Sequence, residues 1–419
     1  MKCGTFSLLA ALFALAGCVA FTSPGPVPFG APSAGAPLPG NPAVAAGTGA
    51  VALLAPLSGP NAERGQVLEH AAQLALAAPG SPALDVRDTG STPAGAAAAA
   101  QAALANGDVL ILGPLTAGET QAVAGIAHGA GVPVLAFTND PAAAQPGVWT
   151  LGITPGQQVR RLVGAVTAAG KGHFAAVLPP GPFGDALATA LSQATSAAGL
   201  PAPDIRSGGD SDAAIQQALR DVSQYASRRG GIDAEIKKLR EQHTAEARKQ
   251  AAELGRSPIP PPPFDALLLG YTGEKLAWAS SFLGYYDIDP PGVQVVGPAL
   301  WASPAARGSA ELNGAWFAAP DPAARTAFVA DFQAKYGTPP PPLADFAYDA
   351  AAIARVLAQA GHGYTVEALT RPDGFAGVDG IFALAPDGTV RRGLAVFVIR
   401  HGHAEVREAA PTAFSAPGI

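Results

Sequence analysis

After residue 49 the chain alternates short aliphatic runs with alanine-rich stretches of helical length. Residues 51–57, 83–87, 109–115 and 132–138 are almost continuously apolar, as strands buried on both faces tend to be. Residues 61–77, 93–105 and 118–128 lie between them and have the composition of helices. Strand, helix and strand recurring every 25–30 residues predict right-handed βαβ units and a parallel sheet. The pattern then restarts, with strands at 174–178, 205–207, 264–270 and 293–299 and helices at 185–198, 212–226 and around 274–283. The economical reading is an α/β protein with two successive sheets, which suits a chain longer than one core normally organises.

Towards the C-terminus the period changes. Residues 380–384, the turn Pro386-Asp387-Gly388 and residues 394–401 read as antiparallel strands and are expected to return along the edge of the second sheet. Residues 228–256 interrupt the second α/β unit with charge. They hold 8 of the 26 Lys and Arg and 5 of the 32 Asp and Glu, a local +3 on a chain of net charge -6. Ile232, Ile236, Leu239, His243, Ala247, Ala251 and Leu254 recur at three or four residues, which predicts an amphipathic helix with a narrow seam. Gly230-Gly231 is expected to break it from the preceding helix, and the proline-rich stretch 258–263 to stop it. It reads either as a solvated insertion or as a partner-docking arm, with Lys237, Lys238, Arg240, Arg248 and Lys249 meeting an acidic surface.

The opening of the chain is of another kind. An apolar run over residues 6–16 ends in Leu15-Ala16-Gly17-Cys18. It is too short to span a bilayer and has small residues at a cleavage point, so residues 1–17 are expected to be a removed signal. The motif resembles a lipobox, which implies that Cys18 is acylated, and Val19 in place of an aspartate implies outer-membrane sorting. Residues 18–48 are rich in Pro, Gly and Ala without charge and read as a tether. The lipid anchor is then the expected attachment to the membrane. Cys3 and Cys18 are the two cysteines, so no disulfide is expected to support the mature fold. The acidic balance argues against nucleic acid as a partner.

No Gly-x-Ser-x-Gly elbow occurs, and Gly170-Lys171 is followed by Gly172, not the Ser or Thr of a phosphate loop. His401 and His403 would share one strand face, but no Cys or HExxH cluster accompanies them. The expectation is a non-enzymatic protein without a cofactor or metal.

The first strand and its exit, Leu54-Ala55-Pro56-Leu57-Ser58-Gly59-Pro60-Asn61, resemble the opening of leucine/isoleucine/valine-binding proteins, the type 1 periplasmic binding fold. Leu112-Gly113-Pro114-Leu115, Phe137-Thr138-Asn139-Asp140-Pro141, Phe183-Gly184-Asp185 and the stretch from Val378-Asp379-Gly380 to Asp387-Gly388 follow in the family's order, so the resemblance covers about residues 50 to 406. It implies two Rossmann-like lobes with parallel sheets, a three-crossover hinge and a C-terminal antiparallel hairpin. By that analogy a domain over 49–408 divides into an N-lobe at 50–152 and 322–379 and a C-lobe at 153–321 and 380–406. A small polar ligand is expected in the cleft, where strand ends and helix N-termini converge. Carried over singly, Ser58, Thr116, Thr138, Asn139, Phe183, Tyr271 and Trp301 are the candidate cleft residues.

One departure from the amino-acid receptors is telling. Where they have Gly-Pro-Glu, with a carboxylate for the ligand ammonium, this chain has Gly297-Pro298-Ala299-Leu300-Trp301. Losing such a charge-assisted bond costs ~1.5–3 kcal/mol, a tenfold to hundredfold loss of affinity. The anchor, the tether, the charged insertion before Pro263-Phe264-Asp265-Ala266-Leu267, and Gly314-Ala315-Trp316-Phe317-Ala318-Ala319-Pro320 are similar instead to penicillin-binding protein activators of the same superfamily. That resemblance implies a periplasmic regulator of peptidoglycan synthesis that touches a peptidoglycan synthase. The rival expectation is a receptor delivering an amino acid or another small metabolite to an ABC permease. In the first case Leu300 and Trp301 are expected to block the cleft.

Overall fold

The computed structural model describes residues 49–303 and 310–414. The expected signal, the acylated Cys18 and the tether lie outside the described residues.

The first lobe runs β1 (Val51–Ala55), α1 (Ala62–Ala75), β2 (Leu84–Asp88), α2 (Pro93–Asn106), β3 (Ile111–Leu112), α3 (Ala117–Ala130), β4 (Val134–Ala136) and β5 (Val148–Thr150). Its strands are parallel, in the order β2-β1-β3-β4-β5. Every residue of β1 is fully buried because alternate side chains leave opposite faces, and helices cover both. Val51, Leu53 and Ala55 pack with α1, whereas Ala52 and Leu54 pack with α2 and α3. Local signals set the helix ends. In α2, Pro93 follows a Thr92 side chain that accepts the Gly95 N–H, and Gly107 ends the helix.

The second lobe continues with α4 (Pro155–Ala168), β6 (Phe174–Leu178), α5 (Pro182–Ala197), β7 (Asp204–Ser207), α6 (Asp212–Val222), α7 (Tyr225–Glu241), α8 (Ala245–Leu254), β8 (Ala266–Leu269), α9 (Gly273–Ser280), β9 (Gln294–Gly297) and β10 (Trp316–Ala319). The chain then returns to the first lobe. In α10 (Pro322–Tyr336) and α11 (Ala344–Ala360), Phe328, Phe332, Ile353 and Leu357 join the core that α1 covers. Next come β11 (Phe375–Gly377), β12 (Gly380–Leu384) and β13 (Val390–Arg392), and finally β14 (Ala395–Arg400) and β15 (His403–Glu408). The second sheet has the order β15-β14-β10-β9-β8-β6-β7, with β14 and β15 its antiparallel members.

Three sequence expectations need correction. Residues 380–384 do not edge the second sheet. The short turn after Leu384 pairs β12 with β13, and these strands with β11 form a separate antiparallel sheet. Phe375, Phe382, Leu384 and Val390 sit in the first lobe's core, so the chain re-enters the second sheet only at β14. The charged insertion is a helical hairpin rather than one helix. α7 runs unbroken through Gly230-Gly231, and the break falls at His243 (φ 53°) before Thr244 caps α8. Interior glycines cost only about 1 kcal/mol each, and Arg228 at the hairpin root offsets them. Its guanidinium donates to the carbonyls of Ser223 and Pro260 and to that of Tyr286, all at 2.7 Å. His401 and His403, finally, do not share a strand face. His401 lies in the turn between β14 and β15 with φ 49°.

The first and last passes between lobes run side by side. Gln157 Nε2 donates to the Val390 carbonyl at 2.7 Å, Arg161 Nε to Leu394 at 2.9 Å, and the Arg392 guanidinium to Leu151 at 2.7 Å.

Candidate functional site

Ser58, Thr116, Thr138 and Asn139 follow β1, β3 and β4, so they lie at the carboxyl edge of the first sheet. Phe183, Tyr271 and Trp301 follow β6, β8 and β9, at the carboxyl edge of the second. The sequence-predicted residues thus fall on two lips, but they differ in what they present.

Ser58 is exposed in a loop tied to Asp88, whose Oδ1 accepts the Leu57 N–H at 2.8 Å and the Ser58 N–H at 3.1 Å. Burial pushes the Asp88 carboxyl up, but hydrogen bonds from Ser58, Gly90 and Leu57 outweigh it and hold the group below its ordinary value. Thr116 is the N-cap of α3. Its hydroxyl donates to Glu119 Oε2 at 2.8 Å, its N–H donates to the same oxygen at 3.0 Å, and the Thr89 hydroxyl donates to Oε1 at 2.6 Å. The chain's own buried carboxylate therefore takes up donors at this helix start, which otherwise favours a ligand anion. The pattern Thr-x-x-Glu is a capping box legible in the sequence, and it was the missed signal here. Thr138 is 7% exposed. Its oxygen accepts the Asp140 N–H at 3.1 Å, and its hydroxyl proton has no acceptor among the described residues. Asn139 is exposed beside it.

On the second lip, Phe183 is 36% exposed in the first turn of α5. Gly184 behind it has no room for a side chain, since a β-carbon there would meet the Pro179 carbonyl oxygen at 1.8 Å. Tyr271 and Trp301 are core residues, which corrects their placement among the ligand contacts. The Tyr271 hydroxyl donates to the Gly209 carbonyl at 2.9 Å, and burial with the nearby Asp210 charge pushes it up to about 12. Trp301 is fully buried and its Nε1–H donates to the Tyr271 carbonyl at 2.9 Å. It supports the lip from beneath, and only Leu300, 56% exposed, projects. At the position where amino-acid receptors carry glutamate, the Ala299 N–H donates to Gln158 Oε1 at 2.8 Å. Gln158, on α4, was not singled out in the sequence.

The five cationic residues predicted for a partner surface are all exposed on the α7–α8 hairpin. Lys237 and Arg240 border a groove of about 780 Å³ between the helices, together with Arg229, His243 and Arg256. Lys238, Arg248 and Lys249 lie outside that groove. Ile236, Ala247 and Ala251 form the buried seam. No group of three or more metal-ligating side chains occurs among the described residues.

Two sheets with their carboxyl edges forming lips, three passes between lobes and a closing antiparallel pair define the type 1 periplasmic binding protein fold. The sequence profile of the family described as periplasmic binding protein matches residues 49–255. Among solved structures, a Rhodospirillum rubrum protein assigned provisionally to branched-chain amino acid ABC transport is 22% identical, with TM-score 0.63 over 85% of this chain and 99% of its own. The C-domain of LpoA from Haemophilus influenzae, described as a regulator of PBP1A, is 17% identical, with TM-score 0.61 over 85% of this chain and 99% of its own. Full-length LpoA is matched over 59% of its length. At these identities the likeness is one of fold, and the relatives are binding proteins or regulators rather than enzymes. Comparison with curated proteins gave no match.

Proposed function

We propose that this chain is a non-enzymatic periplasmic lipoprotein, anchored through Cys18 to the outer membrane, that regulates peptidoglycan synthesis by contact with a penicillin-binding protein. The observation that carries the reading is the second lip. Ala299 stands where a receptor needs a counter-ion for an amino-acid ammonium, and its N–H is held by Gln158. A cleft so changed suits a protein that has kept the fold and moved its work to a surface. The α7–α8 hairpin, with exposed Lys237, Lys238, Arg240, Arg248 and Lys249 on an acidic chain, is that surface in this proposal. The likeness to the LpoA C-domain supports it.

A second reading, a receptor feeding an ABC permease, draws support from the Rhodospirillum rubrum structure and from the unpaired Thr138 hydroxyl proton on the first lip. Crosslinking of the full chain in intact cells, followed by identification of the captured protein, separates the two. A peptidoglycan synthase is the expected product, and permease subunits in its place would overturn the first reading.

A further inference from the structure

We infer that a second small-molecule site lies away from the cleft lips, in a cavity of about 660 Å³ at the joint between the lobes, and that it takes a small carboxylic acid bearing a neighbouring hydrogen-bond donor. Its walls come from four elements: Thr150 on β5, the first turns of α4 with Arg160, Asp185 on α5, and Arg391 on β13. Ser58, Thr116, Thr138, Asn139 and Phe183 do not line it, so it is distinct from the site the fold itself suggests. The inference does not depend on which partner the protein has.

The chemistry of the walls selects the ligand. Arg160 and Arg391 have no carboxylate partner among the described residues. Arg391 is steadied from one side, its guanidinium carbon 4.9 Å from the Phe414 ring centre. Two unpaired guanidiniums lining one cavity, Arg160 exposed and Arg391 half-buried, suit an oxyanion, because their planar donors match carboxylate geometry. The start of α4 adds little, because the Thr154–Gln157 capping box takes up the Thr154 and Gln157 N–H groups and Pro155 has none. Thr150 is an independent sign of a ligand. It is 3% exposed, it lines the cavity, and its hydroxyl has no partner among the described residues. The hydroxyl oxygen reaches the cavity rather than the core, so a ligand there is its available partner.

The two carboxylates on the wall differ in their commitments. Asp387 is occupied locally, accepting the Thr389 N–H at 2.9 Å and the Thr389 hydroxyl at 2.7 Å. Asp185 has no side-chain partner among the described residues, so it is free to accept from the ligand. An acid with a hydroxyl or ammonium beside it satisfies both kinds of group, whereas a plain diacid leaves Asp185 unanswered. Because Thr150 belongs to the first lobe, and Arg160 and Asp185 to the second, an occupant bridges the joint. It favours whichever lobe arrangement brings those groups together.

Calorimetry on the full chain in detergent tests this with malate, a hydroxyl-bearing diacid, and succinate, its counterpart without the hydroxyl. Malate is expected to bind more tightly than succinate and to weaken as salt is added. Arg160→Gln and Arg391→Gln should each lower malate affinity about tenfold, with Arg160→Lys retaining part of it. Asp185→Ala should remove the preference for malate, and Thr138→Val, on the cleft lip, should leave malate affinity unchanged. Melting curves establish that each variant is folded. Absence of binding by either acid at about 10 mM, binding indifferent to both arginine variants, or binding abolished by Thr138→Val would overturn the proposal.

Discussion

Trp301 lies directly against Gly297: a β-carbon on that glycine would come within 2.2 Å of the indole ring. The indole N–H meanwhile donates to the Tyr271 carbonyl, so the ends of β8 and β9 are held together beneath the second lip. Removing a fully buried tryptophan leaves a large cavity and an unpaired carbonyl. Trp301→Ala should cost ~3–5 kcal/mol, read as a lower midpoint in urea unfolding. A loss under about 1 kcal/mol would mean that the indole does not support the lip.

Much of this was readable from residue order. The first-lobe strands and helices follow from apolar runs buried on both faces, and the second sheet from the same period restarted. What failed was placement of residues whose role depends on distant partners. Trp301 looked like a cleft aromatic because nothing local shows that Gly297, four residues earlier, leaves room for the ring. Residues 380–384 looked like an edge of the second sheet because an apolar strand carries no mark of which core will receive Phe382 and Leu384. Gly230-Gly231 looked like a helix end because the anchoring of Arg228 to Pro260 and Tyr286 spans residues far apart in sequence. The candidate lip on the first sheet was legible at Ser58 and Thr138. Glu119, which takes up the donors of Thr116, was visible as a capping box but not as an occupant of the helix start.

That carboxylate makes a prediction. Glu119→Ala leaves the Thr89 hydroxyl and the Thr116 N–H and hydroxyl without their shared acceptor, a cost of about 1–3 kcal/mol for the buried groups. Thr116→Ser, which preserves the cap, should cost far less. Equal destabilisation by the two variants would argue that the capping box is incidental.

Free leucine, isoleucine and valine should bind weakly, because Ala299 offers their ammonium no carboxylate. Calorimetry on the full chain in detergent reads this directly. The expected deficit relative to a receptor with the counter-ion is tenfold to hundredfold, for ~1.5–3 kcal/mol. Low-micromolar affinity for any of the three would restore the transport reading to first place.

The hairpin can be tested without disturbing the core, since its five exposed cations lie off the seam of Ile236, Ala247 and Ala251. Changing Lys237, Lys238, Arg240, Arg248 and Lys249 together to Glu should leave the fold intact, because exposed substitutions usually fall within about 0.5 kcal/mol each. If the proposed synthase contact runs through the hairpin, it should abolish capture of that partner, and capture by the unaltered protein should fall as salt rises. Undiminished capture by the charge-reversed chain would make the hairpin a solvated insertion.

A buried carboxyl gives the protein a pH dependence with a definite sign. Asp349, 2% exposed on α11, accepts the Val378 N–H at 2.8 Å through Oδ1. Burial pushes its carboxyl up to about 7 from an ordinary 3.8, against the pull of Arg392 and the Val378 hydrogen bond, with Asp379 adding to the rise. Between those values the folded protein keeps a proton that the unfolded chain has released, so this group's contribution to stability declines as pH climbs from 3.8 to about 7. Asp349→Asn removes the titration while its amide oxygen can still accept from Val378. The variant should therefore gain on the unaltered protein as pH rises across that window, by up to about 1.4 kcal/mol per pH unit, measured as the difference in urea-unfolding free energy at matched pH. A difference that stays constant from pH 4 to pH 7, as about the bounds of that window, would show that Asp349 is ionised in the folded state throughout.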